Sequence, residues 1–329
     1  GSEPAMTYRN NFMKSFIFSL IFLFSFIPAL QAGSVFDFDE EKLLTDIYWQ
    51  KVQALAKDKT PKVALVLGGG GARGFSHIGV FKVLQEENIP VDLVVGTSVG
   101  SIIGAFYCAG VPVNKLEDSA KDVNWKSVSN FGVHSIVSLM LNENLLSNEQ
   151  LEEFIKKNIG DVRFDQLKVP LVCVATDLNT GERILLREGS VSSAVRASAT
   201  IPGFFKPVEY RQRYLVDGGL SENIPVNVAK LFDPDVTIAV AVSADITKHT
   251  TENVLSTLMQ AIYIQGSVLD NENIRMADVV IRPDVGSLAA DDLKHAYQTI
   301  DKGFDAARDA APEIKKDIIR KTNAKYLLE

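Results

Sequence analysis

The stretch Val91-Asp92-Leu93-Val94-Val95-Gly96-Thr97-Ser98-Val99-Gly100 decides the fold. An apolar run of strand character ends in Gly-x-Ser-x-Gly, and Ser101 to Ala109 continues as a helix. A serine hydroxyl is a weak nucleophile and has to be held clear of the backbone, exposed and beside a base. A sharp turn from strand to helix holds it that way. Gly96 and Gly100 let neighbouring backbone approach where a Cβ would collide. The helix start also points its positive end at the place where negative charge develops in acyl transfer. The plainer alternative is a glycine-rich strand-helix turn with an incidental serine.

Upstream, Pro61 to Leu67 reads as a buried strand, followed at once by Gly68-Gly69-Gly70-Gly71-Ala72-Arg73-Gly74. Phe75 to Glu87 then has helical periodicity. Successive glycines turn their N–H groups into one concavity, an anion-binding nest at a helix start. Gly69, Gly70 and Gly71 are thus candidate oxyanion donors with Arg73 beside them, and Gly74 supports the loop. A dinucleotide fingerprint is the rival, since Gly69, Gly71 and Gly74 fit G-x-G-x-x-G. That motif wants an acid at the end of the second strand, whereas Asp92 opens that strand. A P-loop is excluded because no Gly-Lys-Ser/Thr follows.

Downstream, Arg213 to Asp217 is a short strand running into Gly218-Gly219. Asp-Gly-Gly is ordinary turn chemistry. Asp217 gains interest from its position after Ser98, the order of acid and nucleophile in α/β hydrolases, and from the histidines. The chain has only His77, His134, His249 and His295, and none follows a strand in the loop setting that a triad base favours. His77 reads as packing or bonding to the glycine loop. A direct Ser98–Asp217 dyad is the simpler proposal. It requires the carboxyl within about 3 Å of the serine oxygen and in a partly desolvated cleft that raises its basicity.

Strands at Val63, Leu93, Leu171, Ile184, Leu215, Thr237 and Val279 alternate with helical stretches. That alternation predicts an α/β fold, a three-layer α/β/α sandwich with a mostly parallel central sheet. Ser98 would sit at the carboxyl end of the second strand, where such sheets bind ligands. Helical stretches are expected over Phe36–Lys57, Leu145–Asn158, Thr251–Arg275 and Asp292–Lys321. Between Val111 and Asn144 the apolar residues either pack as helices or line an acyl channel or lid.

The three motifs, in this order, resemble the patatin-like phospholipase family: Gly69 to Gly74, Gly96 to Gly100, and Asp217 to Gly219. Val195 to Val208, Ala175 to Leu178 and Asn223 to Val226 are also similar to family segments, so the likeness runs from about Lys62 to about Val242. The resemblance implies Ser98 as nucleophile and Asp217 as base. It implies an oxyanion hole of N–H groups around Gly70 and Gly71, with Arg73 supporting the loop. It implies no metal or organic cofactor, and a phospholipid, lysophospholipid or other acyl-ester substrate met at a membrane or micelle. Two other function classes remain: a nucleotide- or phosphate-binding protein using the glycine loop, and a lipid-binding protein with an idle site.

The chain has 329 residues, nearly half apolar, enough for one large domain. Residues 1–5 precede Met6 and read as an expression remnant. Arg9 and Lys14 then precede the uncharged run Ser15 to Leu30, and Ala29-Leu30-Gln31-Ala32 closes it with small residues. Residues 6–32 are therefore expected to be a secretory signal peptide, with the mature protein periplasmic or secreted. A transmembrane anchor would need about twenty apolar residues. Residues 33–60 are expected to form an N-terminal helical segment and 61–329 the patatin-like domain. A net charge of −7 argues against nucleic acid and against adsorption to anionic lipid by bulk charge. Cys108 and Cys173 both lie at apolar positions and read as free buried thiols rather than a disulfide.

Overall fold

Burial on both faces is what builds the central sheet. In the computed structural model, which describes residues 40–121, 147–242, 254–286 and 288–328, every residue of β1 (Val63–Leu67) and β2 (Leu93–Thr97) is buried. Val63, Leu65 and Leu67 enter one apolar cluster, while Ala64 and Val66 enter another on the opposite face. That pattern needs helices on both sides.

The chain order fills both faces. On one lie α2 (Ser76–Glu86), α3 (Val99–Cys108), α4 (Val113–Ala120), α5 (Glu149–Ile159), α6 (Val191–Ser198) and α10 (Thr299–Lys321). After the short α7 (Gly219–Glu222), the other face carries α8 (Val226–Lys230) and the end of α9 (Val254–Ile274). α1 (Glu40–Ala54) contributes the buried Trp49 and Val52 to the first cluster. The α/β/α sandwich follows.

Among the described residues the sheet has eight strands, in the order β5-β6-β3-β2-β1-β7-β8, with β4 also paired to β3. Besides β1 and β2 these are β3 (Leu171–Asp177), β4 (Arg183–Leu186), β5 (Val208–Tyr210), β6 (Arg213–Asp217), β7 (Val236–Val240) and β8 (Val279–Ile281). Pairings β1–β2, β1–β7, β2–β3 and β7–β8 are parallel. Pairings β3–β4, β3–β6 and β5–β6 are antiparallel. The sheet is thus mostly parallel, with an antiparallel end built around β3.

The elements differ from expectation at their edges. β5, which the sequence pattern does not predict, is only three residues long and has no fully buried residue. α3 begins at Val99, immediately after the serine, rather than at Ser101. The glycine loop closes with a 3-10 turn, Gly71–Phe75, before α2. Cys108 and Cys173 are free and buried. Among the described residues, no helix is long and apolar enough to cross a membrane. The expected signal peptide at 6–32, His134, His249 and the apolar residues between Trp125 and Leu141 lie outside the described residues.

Candidate active site

β3 measures out where the two halves of the site meet. Val174 pairs with Thr97, the last residue of β2, and the next residue, Ala175, pairs with Asp217, the last residue of β6. β4 occupies the opposite edge of the same β3 residues. β2 and β6 therefore lie end to end along one edge of β3, with their carboxyl ends facing each other. Ser98 follows directly from one end, and Asp217 is the other. Gly218 sits at this seam, where a Cβ would collide with the Val174 carbonyl oxygen.

Ser98 has φ 54° and ψ −123°, a conformation that a non-glycine residue adopts only when its surroundings impose it. Its amide donates to Ser198 Oγ at 3.0 Å, and Ser198 donates to the Val174 carbonyl at 2.6 Å. Ser101 Oγ stands 2.8 Å from Ser198 Oγ and donates to the Gly96 carbonyl at 2.7 Å. The elbow is thereby tied to β3 and α6 by side chains. Gly100 is packed where a Cβ would strike the Leu67 carbonyl, and a Cβ on Gly96 would lie 2.7 Å from the Gly100 backbone. Gly74 is packed against the Val99 side chain.

Asp217 is 8% exposed and Ser98 9%. Burial pushes the Asp217 carboxyl up to about 6, while the adjacent Ser98 hydroxyl and the Gly219 amide stabilise the carboxylate and pull in the other direction. The Gly219 amide donates to Asp217 Oδ1 at 2.8 Å, and Thr176 Oγ1 donates to the Asp217 carbonyl at 3.0 Å. The carboxyl is thus oriented, partly desolvated and placed beside a hydroxyl, as a general base requires.

The glycine loop packs on the nucleophile: a Cβ on Gly69 would come 3.2 Å from Ser98 Cβ. Here the expected donor set needs correction. The Gly69 amide donates to the Asn223 carbonyl at 3.1 Å, so it is unavailable to an oxyanion. Arg73 is buried and its Nε donates to the Leu288 carbonyl at 2.6 Å, so it braces the loop, as the resemblance implies. The Gly70 and Gly71 amides have no backbone acceptor among the described residues, and Gly71, at φ 57°, lines the same cavity as Ser98. Those two remain as candidate donors.

Asn223 and Asp270 were not legible in the sequence as site residues acting together. Asp270, buried on α9, accepts from Asn223 Nδ2 at 2.9 Å and from the Ile224 amide at 3.2 Å. The Asn223 Oδ1 then faces Gly69 and Gly219, between the glycine loop and the Asp217 turn. Burial raises Asp270 to about 6, against those two hydrogen bonds. No sequence motif announces this clamp, because its members come from a loop and a distant helix.

His77 does not serve Ser98. Its Nε2 lies 2.8 Å from the Gly68 carbonyl, and burial lowers its pKa to about 4, so it is a neutral donor to the loop. His295 pairs with Asp292 on a polar surface. Asp92 closes off the dinucleotide reading: its carboxylate accepts from the Val63 amide at 2.9 Å, at the start of β1. The glycine loop lies beyond the other end of that strand, about 15 Å away at the usual rise per residue. Among the described residues, no group of three or more His, Cys, Asp or Glu side chains could hold a metal.

A cavity of about 370 Å³ opens at Ser98, walled by Phe75, Ile78, Ile102, Phe106, Leu151 and Phe205 among others. Val111, Leu116 and Ala120 also line it, so the described start of the 111–144 segment does border the cavity.

The patatin-like phospholipase model matches residues 65–230, which span half of the chain and hold the glycine loop, the serine elbow and the Asp-Gly-Gly turn. The chain belongs to the patatin-like phospholipase family. An uncharacterized NTE family protein of Mycobacterium tuberculosis is 33% identical over 184 residues, 56% of this chain and 50% of that protein. Human patatin-like phospholipase domain-containing protein 6 is 34% identical over 185 residues, 55% of this chain and 13% of the human protein. The matched region thus spans half or less of these curated relatives. Among solved structures, VipD from Legionella pneumophila aligns over 77% of this chain and 67% of its own, with 13% identity and a TM-score of 0.46.

Proposed function

We propose that this patatin-like domain is a serine acyl-ester hydrolase of the phospholipase A or lysophospholipase type. Ser98 attacks the ester carbonyl as Asp217 accepts its proton, and the tetrahedral oxyanion is held by the Gly70 and Gly71 amides. The alcohol leaves with that proton. Water, deprotonated by Asp217, then attacks the acyl-enzyme, releases the fatty acid and returns the hydrogen to Ser98. The observation that carries this reading is a serine in strained geometry beside a carboxyl raised to about 6, at the mouth of an apolar cavity of about 370 Å³. Such a cavity suits a hydrocarbon chain and offers little to a nucleotide. With its net negative charge, the protein would meet lipid through local apolar contacts at a membrane or micelle.

The test is covalent. An alkyl fluorophosphonate should label Ser98, identified by peptide mass, and the wild type should release fatty acid from a mixed lipid panel while Ser98→Ala does neither. A protein that binds lipid but takes no label would instead be a lipid carrier with an idle site.

A further inference from the structure

The apolar cavity has a direction, set by two helices that start at the site. Ser98 is the residue before α3. Asn148, the residue before α5, donates its Nδ2 to Thr200 Oγ1 at 2.9 Å, and the Thr200 carbonyl accepts the Asp217 amide at 2.8 Å. Both helices therefore run away from the Ser98–Asp217 pair. Each gives the cavity one face: Val99, Ile102 and Phe106 from α3, Leu151 and Phe154 from α5. The two faces meet where Phe106 and Phe154 pack edge to face, their ring centroids 6.0 Å apart at an interplanar angle of 65°. One turn further along α5 the lining becomes polar and exposed, at Lys157 and Asn158.

α3 thus acts as a scale. At 1.5 Å of rise per residue, Ile102 stands about 6 Å and Phe106 about 12 Å along the helix from Ser98. An extended hydrocarbon, with bonds of about 1.5 Å at angles of about 111°, advances about 1.25 Å per carbon. A chain whose carbonyl sits at Ser98 reaches Ile102 near about its fifth carbon and Phe106 near about its tenth.

We propose that the Phe106–Phe154 pair, one turn short of the polar lining at Lys157 and Asn158, limits how far an acyl chain reaches and so sets its length, with acyl esters of about eight to ten carbons as the preferred substrates. This rests on the hydrolase reading above, and the test separates the two. p-Nitrophenyl esters of about four to about sixteen carbons, kept below their aggregation concentrations, are compared by kcat/KM in the wild type, Phe106→Ala, Phe154→Ala and Ile102→Phe. In the wild type each added carbon should raise kcat/KM about fourfold until the pair is reached, and then the gain should stop. Phe106→Ala and Phe154→Ala should move the maximum about four carbons longer, and Ile102→Phe should move it to about six or fewer. Ratios between esters within one variant are unaffected by partial misfolding, and Phe154, being only half-buried, is the safer of the two truncations. A wild type that cleaves the series while both alanine variants keep its length profile overturns the scale alone. A wild type that cleaves no ester and takes no fluorophosphonate overturns the hydrolase reading, and the scale with it.

Discussion

The two ends of the sheet are built differently, and each supplies one half of the candidate site. In the parallel end, β1, β2 and β7 are buried along their whole length and sandwiched by helices. In the antiparallel end, β4 has one fully buried residue, β5 none, and β6 only its last three. The parallel end delivers Ser98 and the glycine loop, and the antiparallel end delivers Asp217. The first is fixed by apolar burial spread over many residues. The second depends on a few polar bonds around β3: Ser198 to Val174, Thr176 to the Asp217 carbonyl, and the Asp217 amide to Thr200. Ser198 belongs to both halves, since its Oγ also accepts the Ser98 amide, so the polar bonds around β3 couple the nucleophile to the acid.

The largest expected effect comes from removing the acid itself. Asp217→Asn should lower kcat on a short-chain ester by about 10³-fold or more with KM little changed, as loss of an essential base does. Full turnover by that variant would mean that the antiparallel end contributes scaffolding alone. In the wild type, kcat should fall as pH drops through about 6, because the base must be ionised.

The same substitution should act oppositely on stability. Burial raises Asp217 from 3.8 to about 6, so between those values the folded protein binds a proton that the unfolded chain has lost. That contribution is fully present below pH 3.8 and disappears as pH rises through about 6. At pH 8 the folded state therefore holds a desolvated charge, at a cost on the order of 2 to 3 kcal/mol. Asp217→Asn should raise the unfolding free energy by about that amount at pH 8 and hardly at all near pH 4, measured by denaturant titration at both. Equal effects at the two pH values would remove desolvation as the cause.

Ser198→Ala tests the seam between the two ends. It deletes the acceptor of the Ser98 amide and the donor to Val174, so kcat should fall about tenfold and stability by about 1 to 3 kcal/mol. A stability loss with unchanged kcat would show that the elbow is held by its glycines and helix alone. The smallest effect is expected from Asp92→Asn, in the parallel end but remote from Ser98. It weakens the bond to the Val63 amide and the 3.4 Å pair with Lys57, for about 1 kcal/mol or less and no change in kcat.

What could be read in advance follows the same division. The seven predicted strand positions are all strands, because the buried ones are dense in β-branched and aliphatic residues and the turns between them carry glycine. β5 is not legible in advance because its alternation, Val208-Glu209-Tyr210, runs for only three residues. Gly69 reads as a donor like its neighbours, since nothing in a glycine run says which amide a distant carbonyl will claim. Asn223 claims it, and Asp270, 47 residues further along the chain, holds Asn223 in turn.

By itself the sequence determined a strand, a glycine-bounded turn and a helix around Ser98, because burial and backbone freedom are local properties that residue order records directly. Only the tertiary structure decided that Asp217 would reach that serine. The meeting depends on two strands sharing one edge of β3, Thr97 against Val174 and Asp217 against Ala175. Pairing register is a relation between distant segments, and a shift of a single residue would turn the carboxyl to the other face of the sheet.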